Sequence, residues 1–373
     1  MAICPELKGS EGLNSKERFF QVCRFETPDK LPVDYLGHQE TDKRLKDYLN
    51  LKSEDELLAY LGSDFFYLPS QDISQNEGYM FCYKGKELDV TETQRTCPLG
   101  IRYWRGSYRH KFAVDEVIWG PLEQAENEQD ILQHNWPKVR DFDFSLLHPE
   151  CDAHADKVVV GGLWTGIMGD SYRLHGFQNF LMNMALKPQL IKTLINRVTD
   201  LYLEFNNAIF NELKGKIDLW YWGNDYGSQS GLLLSQEMWY EFFFENIKKL
   251  TTLAHSYGLK VMMHSCGGIF KIIPGIIKAK IDILDPIQIT ARGMQPERLA
   301  DEFGGKIVFH GGIDTQQILP NGSPEEVILH AKEIPQVLGK HGGYIFAPSQ
   351  VLAPDIPIEN ILAMYGKNDP KIK

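Results

Sequence analysis

No stretch of this sequence gathers lysine and arginine densely, and the 373 residues carry a formal net charge of -11. Phosphate backbones are bound by clustered cations, so nucleic acid is excluded as a general partner. Long apolar runs are missing too. None approaches the roughly 18 uncharged residues that span a bilayer, and the opening MAICPELKGSEG lacks the apolar core of a secretory signal. The expectation is a soluble, cytoplasmic chain with no membrane partner. Cysteine is sparse: six residues, at positions 4, 23, 82, 97, 151 and 266, with no C-x-x-C pair. That argues against a disulfide scaffold.

What is present is alternation. Short β-branched or aromatic runs close on glycine or a polar residue at 31–37, 64–70, 157–164, 216–225, 259–266, 281–286, 306–312 and 343–350. Long helical patterns lie between them, notably 188–213 and 235–258. Strands alternating with helices of this length imply βαβ units and a parallel sheet. Eight such runs predict a (β/α)8 TIM barrel, an α/β fold, read as a single domain over residues 1–373. Residues 72–156 interrupt the alternation. YMFCYKGKELDVTETQ and GIRYWRGSYRHKFAVDEVIWG read as hairpins and EQAENEQDILQ as a short helix, so this segment is taken as an insertion after strand 2, over the barrel mouth.

Active sites of such barrels form at the C-terminal ends of the strands. The residues there are His38, Gln39, Ser70, Gln71, Trp164, Asn224, Asp225, His264, Cys266, Asp285, His310, Ser349 and Gln350. In VMMHSCGG (261–268), His264 and Cys266 stand two apart and can face the same way from an extended chain, because side chains alternate with a period of two. A metal pair and a polar strand end both fit that spacing. Asp225 follows an aromatic strand and opens a glycine-rich turn with Asn224, Tyr226 and Gln229. A carboxylate there can take a proton, stabilise a cation, ligate a metal, or simply bond its own turn. His310 precedes Gly311-Gly312 and is a ligand, a proton carrier or a core histidine. Asp314 reads as a structural cap, and Ser323 as the N-cap of the helix that starts at Pro324.

These residues, with KERFFQVCRFETPDKLPVDYLG (16–37), HSCGGIFKIIPGIIKAKIDILDPIQITARGM, GGIDTQQILPNGSPEEV and APDIPIENILAMY, resemble the uroporphyrinogen decarboxylase superfamily over nearly the whole chain. That superfamily holds decarboxylases and cobalamin-dependent methyltransferases, and the opening is closer to the latter. Decarboxylase members carry an arginine-rich signature, R-Q-A-G-R, that clamps substrate carboxylates. Here the matching stretch is RFFQVCRF (18–25), and the histidine of the last loop falls on Gln350. Tyr172 corresponds to the decarboxylase tyrosine after strand 3 if a gap is allowed. Zinc methyltransferases carry H-x-C and a later cysteine as ligands, and a zinc-bound thiol is a methyl acceptor. His264 and Cys266 match the first two ligands, while the third again falls on Gln350. An amide is a poor zinc ligand, so a site rebuilt with His38, His310 or Asp225 is the alternative.

The resemblance therefore implies a methyltransferase-like enzyme moving a methyl group between a small methylated compound or thiol and a corrinoid (cobalamin) carried by a partner protein. Zn2+ would sit on His264 and Cys266. Asp225 and His310 would belong to the catalytic set, and His38, Trp164, Tyr172, Asn224, Tyr226, Gln229 and Gln350 would line the substrate pocket. Two alternatives stay open: a decarboxylase acting on a tetrapyrrole or another carboxylated substrate, and a non-catalytic corrinoid-binding barrel. The decarboxylase relatives also imply a homodimer.

Overall fold

In the computed structural model, described over residues 12–74, 80–107 and 114–367, a curled parallel sheet of seven strands organises the chain. The strands, in chain order, are β1 (Phe65–Tyr67), an inserted antiparallel set β2 (Gln94–Thr96), β3 (Arg102–Ser107) and β4 (Val114–Trp119), then β5 (Val158–Gly161) and β6 (Leu219–Gly223). A short antiparallel pair follows, β7 (Gly227–Ser228) and β8 (Gly231–Leu232), then β9 (Lys260–His264), β10 (Ile283–Asp285), β11 (Val308–His310) and β12 (Tyr344–Ile345). The parallel order is β1-β5-β6-β9-β10-β11-β12. This is the TIM-barrel fold the alternation predicts.

The first predicted strand, 31–37, is the exception. It forms isolated parallel bridges, Val33 with Phe346 and Gly37 with Leu352, rather than a continuous strand. Asp34 N–H donates to the Phe346 carbonyl at 2.8 Å, and Asp64 N–H donates to the Val33 carbonyl at 2.7 Å. The segment thus ties β12 to β1, the two edges of the sheet. Pro32 has no N–H to give to a ladder, which shortens the strand at its start.

Side-chain alternation builds the barrel interior in rungs. Phe65, Val158, Val160, Leu219, Met262, Ile283, Val308 and Ile345 form one buried apolar cluster, and Phe19 and Val22 of the helix Ser15–Cys23 join it. That helix closes the N-terminal end of the barrel, pinned by Lys16 to Asp218 and by Arg18 to Asp29 and Asp64. Two residues beyond Phe65, Leu219, Met262, Ile283 and Val308 the interior turns polar, at Tyr67, Tyr221, His264, Asp285 and His310, and Asp34 of the bridge segment joins them. A separate, larger apolar layer lies between the sheet and the surrounding helices.

The predicted helix over 188–213 is the 25-residue helix Pro188–Glu212. The one over 235–258 is interrupted: Gln236–Trp239 leads through a π-helical turn, Tyr240–Phe244, into Glu245–Ser256. Ser323 caps Pro324–Leu338 with a full capping box, as its sequence position requires. In the inserted segment, EQAENEQDILQ contains the helix Glu128–Leu132. GIRYWRGSYRHKFAVDEVIWG supplies the β3–β4 hairpin, whose connection at 108–113 lies outside the described residues. Among the described residues of YMFCYKGKELDVTETQ, only the end turns back on itself, where Val90 bridges Arg95 just past the run. Its last residue, Gln94, begins β2, which adds to β3 as a third strand. The sheet is held to the helix Ile167–His175, where Leu122 N–H donates to the Leu174 carbonyl at 2.9 Å and His175 Nδ1 bonds the Leu122 carbonyl at 2.7 Å.

Candidate active site at the C-terminal barrel rim

The ends of β6 and β9 are locked together. Gly223 pairs with His264, and Asn224 N–H donates to the His264 carbonyl at 3.0 Å. Position 223 has to be glycine, because a Cβ there would lie 2.2 Å from the His264 carbonyl oxygen. Two residues beyond Gly223, Asp225 therefore stands over the His264 ring. Its Oδ1 is 3.3 Å from His264 Nε2 and accepts the Cys266 N–H at 3.0 Å. Beyond Cys266, Gly267 at φ +89° packs so closely on Gly227 and Ser228 that a side chain would collide with backbone. This turn holds the thiol at the rim.

Asp225, His264 and Cys266 each offer one donor atom, and the three donors lie within 4.8 Å of one another. This is the one metal-competent cluster of His, Cys and carboxylate donors among the described residues. The imidazole is buried, the thiol half-buried and the carboxylate open to solvent on one side. Tetrahedral zinc with bonds of about 2.0–2.1 Å has ligand–ligand edges of roughly 3.3–3.4 Å. The oxygen–nitrogen separation of 3.3 Å already fits such an edge, and the mixed O, N and S donor set suits zinc.

Electrostatics keep the donors in different states. Burial would raise the Asp225 carboxyl, but the His264 hydrogen bond and charge, with the Cys266 N–H, outweigh it and hold it at about 2. Burial would lower His264, yet its hydrogen bonds to Asp225 and Asp285 prevail and raise it well above the usual imidazole range. Cys266 is raised by burial, reinforced by the negative charge of Asp225 and opposed by its hydrogen bond to His264. Without a cation it is a thiol, and a bound cation would have to displace its proton.

Below this triangle runs a fully buried chain of charge. His264 Nδ1 meets Asp285 Oδ2 at 2.7 Å, and His310 Nδ1 meets Asp285 Oδ1 at 2.6 Å. His310 Nε2 lies 3.0 Å from Asp34 Oδ2. Tyr221 donates to Asp285 Oδ2 at 2.9 Å and Tyr67 to Asp34 Oδ2 at 2.6 Å. Burial opposes ionisation of Asp285, but the charges and hydrogen bonds of His310 and His264 hold it well below the usual carboxylate range. His310 is lowered by burial and raised more by Asp285 and Asp34, to about 9.

Of the three residues that could rebuild the missing third ligand, Asp225 is the one the fold brings to His264 and Cys266. His310 is fully buried with both ring nitrogens engaged by carboxylates, so it does not face the rim. His38 caps the helix Gln39–Leu49, its Nδ1 accepting the Glu40 N–H at 3.2 Å. Gln350 is exposed and its Oε1 accepts the Val351 N–H. Trp164 stands at the site, its ring 5.9 Å from that of His264 and 5.3 Å from that of Tyr221. Tyr172 is half-buried against Phe177. Asn224 is buried, its Oδ1 accepting the N–H groups of Met168 and Gly169 at the start of the helix Ile167–His175. Tyr226 is buried against Trp239 and Phe243 rather than lining the rim, and Gln229 is exposed in the β7–β8 turn. Asp34, Tyr67 and Tyr221 were not singled out from the sequence. The available signal for Tyr67 and Tyr221 was their position, two residues beyond the inward Phe65 and Leu219.

The profile of the uroporphyrinogen decarboxylase (URO-D) family matches residues 152–367, which include all three donors. No curated protein matches the chain at the sequence level. Among solved structures, a methyltransferase from Methanosarcina mazei superposes with a TM-score of 0.64 over 95% of this chain and 98% of that one, at 18% identity. A GH10 endoxylanase retrieved from a sugarcane soil metagenome reaches only 0.37, over 61% of this chain and 82% of that one at 11% identity, and carries no argument. The solved structure shares the barrel fold, and the family profile spans more than half of the chain: the chain belongs to the uroporphyrinogen decarboxylase family.

Proposed function

We propose that this protein is a methyltransferase-like enzyme that moves a methyl group between a small methylated compound or thiol and a corrinoid carried by a partner protein. The observation that carries the reading is the Asp225–His264–Cys266 triangle at the barrel rim. Those residues would hold Zn2+ through Oδ, Nε2 and Sγ. Zinc bound there would act as a Lewis acid that lowers the pKa of a substrate thiol.

The protein's own groups supply the rest. Trp164 offers an aromatic wall beside His264 for an apolar or methyl-bearing group. The half-exposed Asp225 gives the site an open side toward solvent, where a bulky carrier has access. The decarboxylase reading has less support, because it needs free cations for substrate carboxylates. Arg18, first residue of the stretch that matches the arginine signature, is buried at the opposite end of the barrel in bonds to Asp29 and Asp64. Arg24 pairs with Glu26.

The test is metal analysis of the purified protein beside Cys266→Ala, followed by the absorbance change of methylcobalamin with a panel of thiols. Stoichiometric zinc in the wild type, lost in the variant, and thiol-dependent demethylation are expected. A wild-type protein that binds no zinc refutes the proposal.

A further inference from the structure

We propose that Asp285 is a positioning residue which, braced by His310 and Asp34, fixes the His264 ring so that Nε2 alone faces the rim. The inference rests on the zinc reading of that rim. It follows from counting donors and acceptors along the buried chain.

His310 has a carboxylate oxygen at each ring nitrogen, Asp285 at 2.6 Å and Asp34 at 3.0 Å, and it is fully buried. An ionised carboxylate only accepts, so both His310 nitrogens must donate. That leaves Asp285 with one oxygen committed to His310 and the other, Oδ2, turned to His264 Nδ1 at 2.7 Å. Facing an acceptor, His264 Nδ1 must carry a proton, and the nitrogen that can give up its proton to a metal is then Nε2. Nε2 is the atom 3.3 Å from Asp225.

The brace is anchored on separate elements. Asp34 lies in the bridge segment, where its Oδ1 accepts the Tyr35 N–H at 2.8 Å and its backbone carbonyl accepts the Tyr365 hydroxyl at 2.9 Å. Asp285 ends β10, in register with His264 on β9. Tyr221 on β6 bonds Asp285 and lies 3.1 Å from His264 Nδ1, which closes the remaining space around that nitrogen. A histidine held this way cannot rotate to present Nδ1 without breaking the bond to Asp285. Removal of a carboxylate behind a metal-binding imidazole typically weakens metal affinity about 10–100-fold.

The experiment follows two readouts on the full chain. The first is the His264 Nδ1 proton in metal-free, ¹⁵N-histidine-labelled protein. The second is zinc affinity by competition with a chromophoric chelator, for wild type and Asp285→Asn, each checked for folding by circular dichroism. A slowly exchanging, downfield Nδ1 proton on wild-type His264, lost in Asp285→Asn, together with a 10–100-fold weaker zinc Kd, supports the inference. Zinc binding in the wild type with an unchanged Kd in a folded Asp285→Asn overturns it. If the wild type binds no zinc, the zinc reading fails, and the proton alone decides the positioning role. Should Asp285→Asn not fold, the wild-type spectrum decides: absence of a protected Nδ1 proton overturns the inference.

Discussion

Replacing His310 with glutamine removes an imidazolium from between two buried carboxylates, and its cost must depend on pH. The ring is fully buried, 2.6 Å from Asp285 and 3.0 Å from Asp34. Burial alone would lower its pKa, but the two carboxylates raise it from 6.5 to about 9. A group whose folded pKa is raised stabilises the fold fully below its unfolded value. It loses that contribution as pH rises through the folded value. The window therefore runs from about pH 6.5 to about pH 9. At about 1.4 kcal/mol per pH unit, the contribution is about 3 kcal/mol, counted once for the His310–carboxylate group. Denaturant unfolding of zinc-free wild type and His310→Gln should be compared at intervals from pH 6 to pH 10. The gap between the two proteins is expected to be widest at pH 6 and to shrink by about 3 kcal/mol by the alkaline end. A gap that stays constant or widens with pH would refute the assignment of a charged His310.

Asp225→Ala is expected to lower zinc affinity at least 10-fold, while Gln350→Ala changes it less than about twofold, because Gln350 bonds its own backbone neighbour; chelator competition reads both. Phe19→Ala empties the apolar plug at the closed end of the barrel and should cost about 3–5 kcal/mol in denaturant unfolding with zinc stoichiometry retained. Gly223→Ala places a Cβ 2.2 Å from the His264 carbonyl. It should cost about 1–3 kcal/mol and weaken zinc binding together, since His264 must shift to make room.

The barrel itself was readable because its signals are local. Seven of the eight expected parallel strands occur where short apolar runs end on a glycine or polar residue, and the long helix Pro188–Glu212 lies within its predicted span. The hairpin predicted at 79–94 contracted to its end, where Val90 bridges Arg95, because Met80 and Tyr83 bridge Gln71 and Phe142 of other segments instead. Gln94–Thr96 instead joined β3, a choice made by the sheet edge available. The 31–37 run was reduced to the bridges of Val33 with Phe346 and Gly37 with Leu352, where Pro32 has no N–H to extend the ladder.

The site divides along the same line. A period of two places His264 and Cys266 on one face of an extended chain, and it places Asp285 and His310 one rung beyond Ile283 and Val308; the residues alone determine that much. They leave open what completes the pair, because a ligand's partner is chosen by register between strands and not along one. Only the pairing of Gly223 with His264 brings Asp225 over the imidazole, and only the pairing of Asp285 with His264 puts a carboxylate behind it. The same register withdraws His310 from the rim and buries it between Asp34 and Asp285. Hydrogen-bond ladders between distant segments set these neighbours, so they belong to the tertiary structure.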